Sequence, residues 1–464
     1  MTTPGPGYSV TMRVDVPSAP TAAAELTGVI GRCGGVVTAF DVVDSVGGMM
    51  TVDLTTNAAS EEHATEMSQA LGELPGVTVG KVSDRTFLIH IGGKIEVTPK
   101  VPLRHRDDLS RAYTPGVARV CLDIAAHPEN ARRLTIKRNT VAVVTDGTAV
   151  LGLGNIGPAA ALPVMEGKAA LFKKFAGVDA WPVCLDTTDT EEIIRTVKII
   201  APVYGGINLE DIAAPRCFEI ERRLRAELDI PVFHDDQHGT AICVLAALRN
   251  ALRVVGKRIE DCNIVVSGAG AAGSAIIRLL LHRGPANITA VDVVGIVHPG
   301  RAGMDPNLTE IASLTNGRGL TGSLSDAMVG ADVFIGVSAP DILVEQDVAA
   351  MAPGAIIFAL ANPDPEIDPT IALRYASVVA TGRSDYPNQI NNVLAFPGVF
   401  RGLLDSGARD ITDEMMLAAS DALADVVDAS RLNASYIVPS VFDPSVAGAV
   451  ADAIISSARV PARP

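Results

Sequence analysis

The chain opens on an alternation of polar and apolar residues, Tyr8-Ser9-Val10-Thr11-Met12-Arg13-Val14-Asp15-Val16, that predicts a half-buried strand. A helical stretch from Thr21 to Arg32 follows and breaks at Gly34-Gly35. The runs Val36 to Val43 and Met49 to Leu54 predict a hairpin turning at Gly47-Gly48. A helix over Ser60 to Leu74 and a strand over Val77 to Val82 complete the order βαββαβ, a small ferredoxin-like module. Residues 91 to about 112 are polar and Pro-punctuated, a connector. Beyond them, apolar strands alternate with helices. The strands are Thr140 to Gly147, Asp179 to Asp186, the run closing on Asn208-Leu209-Glu210-Asp211, and Ile230 to Phe233. Their helices are Ala159 to Phe175, Thr190 to Ile200, and the stretch from Ala214-Pro215 to Leu228. From about Gly239 the pattern resumes with a helix over Thr240 to Leu252, then strands at Asn263 to Ser267, Ile288 to Asp292, Val333 to Val337 and Ala355 to Leu360. Strand–helix–strand crossovers are right-handed and parallel. The fold class is therefore α/β: the βαββαβ module over residues 1–90, an α/β domain over 91–238, and a doubly wound domain over 239–464.

Composition narrows the field of functions. The 464 residues are 48% hydrophobic and 20% charged, a globular balance too long for one core. A net charge of −15 argues against nucleic acid, whose phosphates need a basic face. It leaves room for an anionic substrate, because a few local cations reverse the field in one cleft. Six scattered cysteines without a C-x-x-C predict reduced, mostly buried thiols. No apolar run approaches the ~20 residues of a membrane span, and no charged, hydrophobic leader opens the chain, so a cytoplasmic location is expected.

The candidate chemistry lies where strands end. Glu210-Asp211 closes one strand, and Asp235-Asp236 follows the next. Parallel crossovers bring both pairs to the same carboxyl edge, where open α/β sheets bind ligands. Neighbouring side chains of a regular strand point to opposite faces, so Glu210 and Asp211 reach one ion only if the backbone turns there. Capping of the following helix is the competing use of such a pair. His234 and His238 have the i, i+4 spacing of a zinc protease, but that motif needs both on one helical face. With the carboxylates the set is oxygen-rich and suits Mg²⁺ or Mn²⁺ better than Zn²⁺. Lys168, after Gly167 in an apolar helix, is expected to face a cleft with its pKa lowered toward that of a base; a snorkelling surface lysine is the alternative. Tyr113, in a Pro-Gly turn, is either a proton donor or a packing residue.

Gly268-Ala269-Gly270-Ala271-Ala272-Gly273 follows an apolar strand and opens a helix, and Asp292 ends the next strand. This is the dinucleotide context, with glycines for the turn and pyrophosphate and an acid for the ribose hydroxyls. A glycine-rich turn without a ligand is the bland reading. Val293-Val294-Gly295 supplies no cation for a 2′-phosphate, which favours NAD over NADP unless a residue such as Arg301 reaches the site.

Several motifs occur together and in order. They are Ala112-Tyr113-Thr114-Pro115-Gly116-Val117-Ala118, Thr145-Asp146-Gly147 with Leu151-Gly152-Leu153-Gly154, Met165-Glu166-Gly167-Lys168, Asn208-Leu209-Glu210-Asp211, His234-Asp235-Asp236-Gln237-His238-Gly239-Thr240, Ala361-Asn362-Pro363 and Asn391-Asn392-Val393-Leu394-Ala395-Phe396-Pro397. Residues 95 to 460 thereby resemble the bacterial short-form malic enzymes. The first ninety residues resemble an ACT domain, a small-molecule sensing module, with a packing or dimerisation module as the alternative.

The resemblance implies oxidative decarboxylation of L-malate to pyruvate and CO₂ with NAD or NADP. It implies Mg²⁺ or Mn²⁺ on Glu210, Asp211 and Asp236, Lys168 as base and Tyr113 as acid. Asn362, Asn391 and Asn392 are the implied polar contacts to substrate and nicotinamide, and Asp235 supports the metal ligands or Lys168. A homodimer or higher oligomer is expected, with an effector at the N-terminal module. In one respect the chain departs from longer relatives, which carry a malate-binding Arg after Thr-Asp-Gly; here Thr148-Ala149-Val150 follows. Arg111 or a partner residue is the expected substitute. The rivals are a decarboxylase that retains its NAD and forms lactate, and a catalytically silent sensor of NAD or a metabolite.

Overall fold

The computed structural model describes residues 4–150 and 152–458; Leu151 of the glycine-rich loop lies outside them. The chain divides into two units, residues 1–97 and 98–464. In the first, strands Gly5–Pro17, Val36–Val46, Met49–Ala58 and Thr78–Asp84 form an antiparallel sheet. Their spatial order is second, third, first, fourth. The alternation read in the first strand puts Met12 and Val14 on a fully buried face beside Val52 and Leu54. Helices Ala22–Arg32 and Glu61–Gly72 cover that face with Leu26, Ile30, Met67 and Leu71. Ser60 caps the second helix by accepting from the His63 amide.

The second unit holds two sheets. In one, Asp179–Cys184, Thr140–Thr145, Gly206–Leu209 and Val232–His234 lie side by side, all parallel. In the other the order is Gly295–Ile296, Asn287–Asp292, Asn263–Ser267, Val333–Gly336, Ile356–Ala359 and Val378–Thr381, parallel except for the first two-residue strand. Chain order reverses across Asn263–Ser267, the switch point at which such sheets bind nucleotides.

Helix Asp235–Val255 joins the sheets and is apolar nearly all round, as a helix in a shared core must be. Phe172, Phe233, Phe396 and Phe400 interlock beside it, with Phe172 and Phe396 edge to face at 4.7 Å. This helix corrects the expectation of a start at Thr240. Asp235 and Asp236 occupy its first turn, where the helix dipole favours negative charge. The connector over 91–112 also differs, ending in the short exposed helix Arg106–Ala112 capped by His105. No helix among the described residues is long and apolar enough to cross a membrane.

Candidate active site

The strand Gly206–Leu209 delivers Glu210 and Asp211 to the carboxyl edge of its sheet. Asp211 has φ 54°, the left-handed region, and this turn lets both neighbours face one side. Its amide donates to Asp236 Oδ2 at 2.8 Å, tying the two strand ends together. One oxygen from each of Glu210, Asp211 and Asp236 lies within 4.8 Å of the others. Asp211 Oδ2 is buried with no hydrogen-bond partner. Orphaned, mutually close carboxylate oxygens are costly unless a cation joins them, so these residues fit a hard divalent ion. Burial and the neighbouring Asp236 push the Asp211 carboxyl up to about 7. Burial raises Glu210 as well, against the pull of Lys168. Asp236 is pushed up by burial too, but the His234 hydrogen bond brings it below its usual range.

Helix Pro158–Ala176 carries Lys168 into this edge, buried rather than in an open cleft. Its Nζ donates to Asp235 Oδ2 at 2.5 Å, lies 2.8 Å from Glu210 Oε1, and stands 4.2 Å from the Phe396 ring centre. The expected lowering of its pKa is corrected here. Burial does pull the ammonium down, but Asp235 and Glu210 outweigh it and the net shift is upward. Asn392 Nδ2 donates to the same Asp235 oxygen at 2.5 Å. Asp235 is thus the hub that holds Lys168 and Asn392 together.

The other predicted residues sit as follows. Asn391 spends its side-chain oxygen on the Val393 amide and its carbonyl on the Cys243 thiol. Asn362 is exposed after strand Ile356–Ala359, with the Gly152 backbone packed against its carbonyl. Tyr113 is 66% exposed and its hydroxyl bonds to nothing among the described residues. Arg111 is exposed and bonded to Asp108. Arg216, which sequence reasoning passed over, instead occupies the Thr-Asp-Gly loop, donating to Asp146 Oδ2 at 2.7 Å and Thr148 Oγ1 at 3.2 Å. His234 and His238 do not converge: one bonds Asp236, the other Glu221. Glu221 was also missed. Its signal was an acid on the Cys217, Ile220, Leu224 stripe of helix Arg216–Glu227, where a solvated acid has no place.

At the switch point, Gly268 has φ 98°, and a Cβ on Gly273 would lie 1.7 Å from the Gly268 carbonyl, so neither tolerates a side chain. Gly270 has open space before it, as close approach of a pyrophosphate requires. Gly268 and Gly270 line, with Ala269 and Asp292, a cleft of 610 Å³, while Ala271 and Ala272 open helix Ala271–Leu281, in which Gly273 is buried. Asp292 Oδ1 accepts from the Val294 and Gly295 amides and, at 2.7 Å, from Arg301, which also reaches Oδ2.

Residues 92–225 match the family model for the malic enzyme N-terminal domain, and 237–459 that for the malic enzyme NAD binding domain. The NAD-dependent malic enzyme of Geobacillus stearothermophilus is 57% identical over 454 residues, 98% of this chain and 95% of that one. The bifunctional malic/malolactic enzyme of Bacillus subtilis is 56% identical over 79% of this chain and 90% of its own. The crystal structure of the NAD-dependent malic enzyme from Thermotoga maritima superposes with a TM-score of 0.78 at 48% identity, covering 80% of this chain and 99% of that one. The chain belongs to the malic enzyme family.

Proposed function

We propose that the protein oxidatively decarboxylates L-malate to pyruvate and CO₂ while reducing NAD. The observation that carries this reading is the union, at one sheet edge, of Lys168 with the Glu210, Asp211 and Asp236 oxygens. Those three carboxylates would hold Mg²⁺ or Mn²⁺. The cation would supply Lewis-acid polarisation of the substrate's oxygen and offset the Glu210 charge that, second to Asp235, keeps the proton on Lys168. Lys168, once its ammonium proton has passed to solvent, accepts the C2 hydroxyl proton as the C2 hydrogen passes, with its electron pair, to NAD. Asp235 and Asn392 hold the amine in place for that transfer. Cleavage of the C3–C4 bond releases CO₂ and leaves its electrons on the three-carbon product, which Tyr113 protonates at C3. Asn362, with Asn391 and Asn392, contacts substrate and nicotinamide. Gly268, Gly270 and Gly273, with Ala269, Ala271, Ala272 and Asp292, hold the dinucleotide.

Residues 1–90 act as a regulatory module for a small-molecule effector, a reading supported by the βαββαβ sheet; residues 91–238 and 239–464 are the catalytic and dinucleotide-binding parts, and the enzyme works as a homodimer or larger. Incubation with L-malate, Mn²⁺ and NAD is expected to yield NADH and pyruvate in equal amounts. Lactate without NADH, or no turnover, would refute the reading.

A further inference from the structure

Behind the carboxylate edge runs a buried hydrogen-bonded chain that the reaction itself does not use. Glu221 lies on helix Arg216–Glu227 and is 5% exposed. Its Oε2 accepts from Gln237 Nε2 at 2.9 Å, and its Oε1 from His238 Nε2 at 2.7 Å. The same Gln237 nitrogen is 2.7 Å from His234 Nδ1, and His234 Nε2 is 3.0 Å from Asp236 Oδ2. Gln237 and His234 are 3% and 0% exposed, so water does not compete along the chain.

The donors and acceptors along this chain give it a direction. An ionised carboxylate only accepts, so the Gln237 amide must turn its NH₂ toward Glu221; the reverse would set carbonyl against carboxylate. In the neutral imidazole, the form a cation bound beside Asp236 would favour, the second hydrogen of that NH₂ goes to His234 Nδ1. The imidazole therefore carries its own hydrogen on Nε2 and donates it to Asp236. Asp236 Oδ2 then receives two donors, His234 and the Asp211 amide, and Oδ1 remains for a cation.

We infer that Glu221 is a positioning residue for the metal site: through Gln237 it fixes the tautomer of His234, and through His234 the oxygen that Asp236 presents. Partners one shell behind a metal ligand commonly change metal affinity by roughly 10–100-fold. This inference rests on the proposed ligand set of Glu210, Asp211 and Asp236.

The test is a Mn²⁺ titration of the full-length, chelator-stripped protein, following free Mn²⁺ by electron paramagnetic resonance in the absence of substrate. Glu221→Gln and Gln237→Met are each expected to weaken Mn²⁺ binding about tenfold, and the double variant no further than either, because both act through one chain. NADH binding, read by fluorescence, should stay at the wild-type value and shows that each variant is folded. If Glu221→Gln does not fold, Gln237→Met decides alone. Wild-type Mn²⁺ affinity in the folded single variants, or losses that multiply in the double variant, would overturn the inference. Asp236→Asn separates it from the reading beneath: this variant should lose Mn²⁺ binding outright. Were it to bind Mn²⁺ normally, the ligand set itself would fall and the inference with it.

Discussion

Lys168 is held as an ammonium by two carboxylates, so its removal both deletes the proposed base and leaves Asp235 and Glu210 unbalanced. Lys168→Ala is expected to lower kcat for malate oxidation by about 10³-fold without weakening Mn²⁺ binding; retained turnover would remove Lys168 from the mechanism. Asp211, pushed to about 7, contributes to the pH dependence of the metal-free protein together with Glu210 and Asp235, which burial also raises. Its folded pKa lies above the ~3.9 of an unfolded Asp, so the linked stability is full below that lower value and is lost as pH rises through about 7. The metal-free Tm should therefore fall between pH 6 and pH 8, and saturating Mn²⁺ should erase the fall. A metal-free Tm that rises across this interval contradicts the assignment. At Asp292, Arg301 offsets the carboxylate that would otherwise repel a 2′-phosphate. Arg301→Gln should lower kcat/KM for NADP relative to NAD by about tenfold (~1.4 kcal/mol); an unchanged ratio would mean that Arg301 plays no part in the choice. These residue-scale features were only partly legible. Two acids at strand ends could be read from topology, but whether Asp211 turns, and which acids surround Lys168, depends on contacts between residues far apart in the chain.

Among the elements, the glycine turn was readable because its spacing encodes sterics that the structure reproduces: Gly273 abuts the Gly268 carbonyl and Gly270 opens on the cleft. Gly273→Ala should lift the helix off the strand and weaken NADH binding by tenfold or more (over ~1.4 kcal/mol), measured by fluorescence quenching. Wild-type affinity would show that the helix can shift at little cost. Helix Asp235–Val255 was read as starting five residues late, at Thr240, and the reason is physical. His234-Asp235-Asp236-Gln237-His238 looks like a polar loop, yet His234, Asp235 and Gln237 are buried, and Lys168, Asn392 and Glu221 partner most of the stretch's polar groups. Polarity in sequence reports solvent only when the partners are water. Strand Val378–Thr381, four buried residues, gave too short an apolar run to be separated from its flanks.

For the whole molecule, the second unit works because one apolar helix serves both of its sheets. The first turn of Asp235–Val255 bears Asp235 and Asp236, and its body lies in the core shared with Val141, Val266 and Phe358. Asn392, which follows the last strand of the dinucleotide sheet, reaches Asp235 across 157 residues of chain. No periodicity announces such a contact; only the resemblance of the Asn391-Asn392 motif placed it near the substrate. The parallel sheets themselves were legible, since handed crossovers leave few arrangements. The proposed catalysis depends on a divalent ion held by the Glu210, Asp211 and Asp236 edge beside Lys168. Anomalous diffraction from crystals grown with Mn²⁺ tests it most directly. A manganese peak is expected within bonding distance of an oxygen from each of the three carboxylates. A peak elsewhere, with this edge empty, would contradict it.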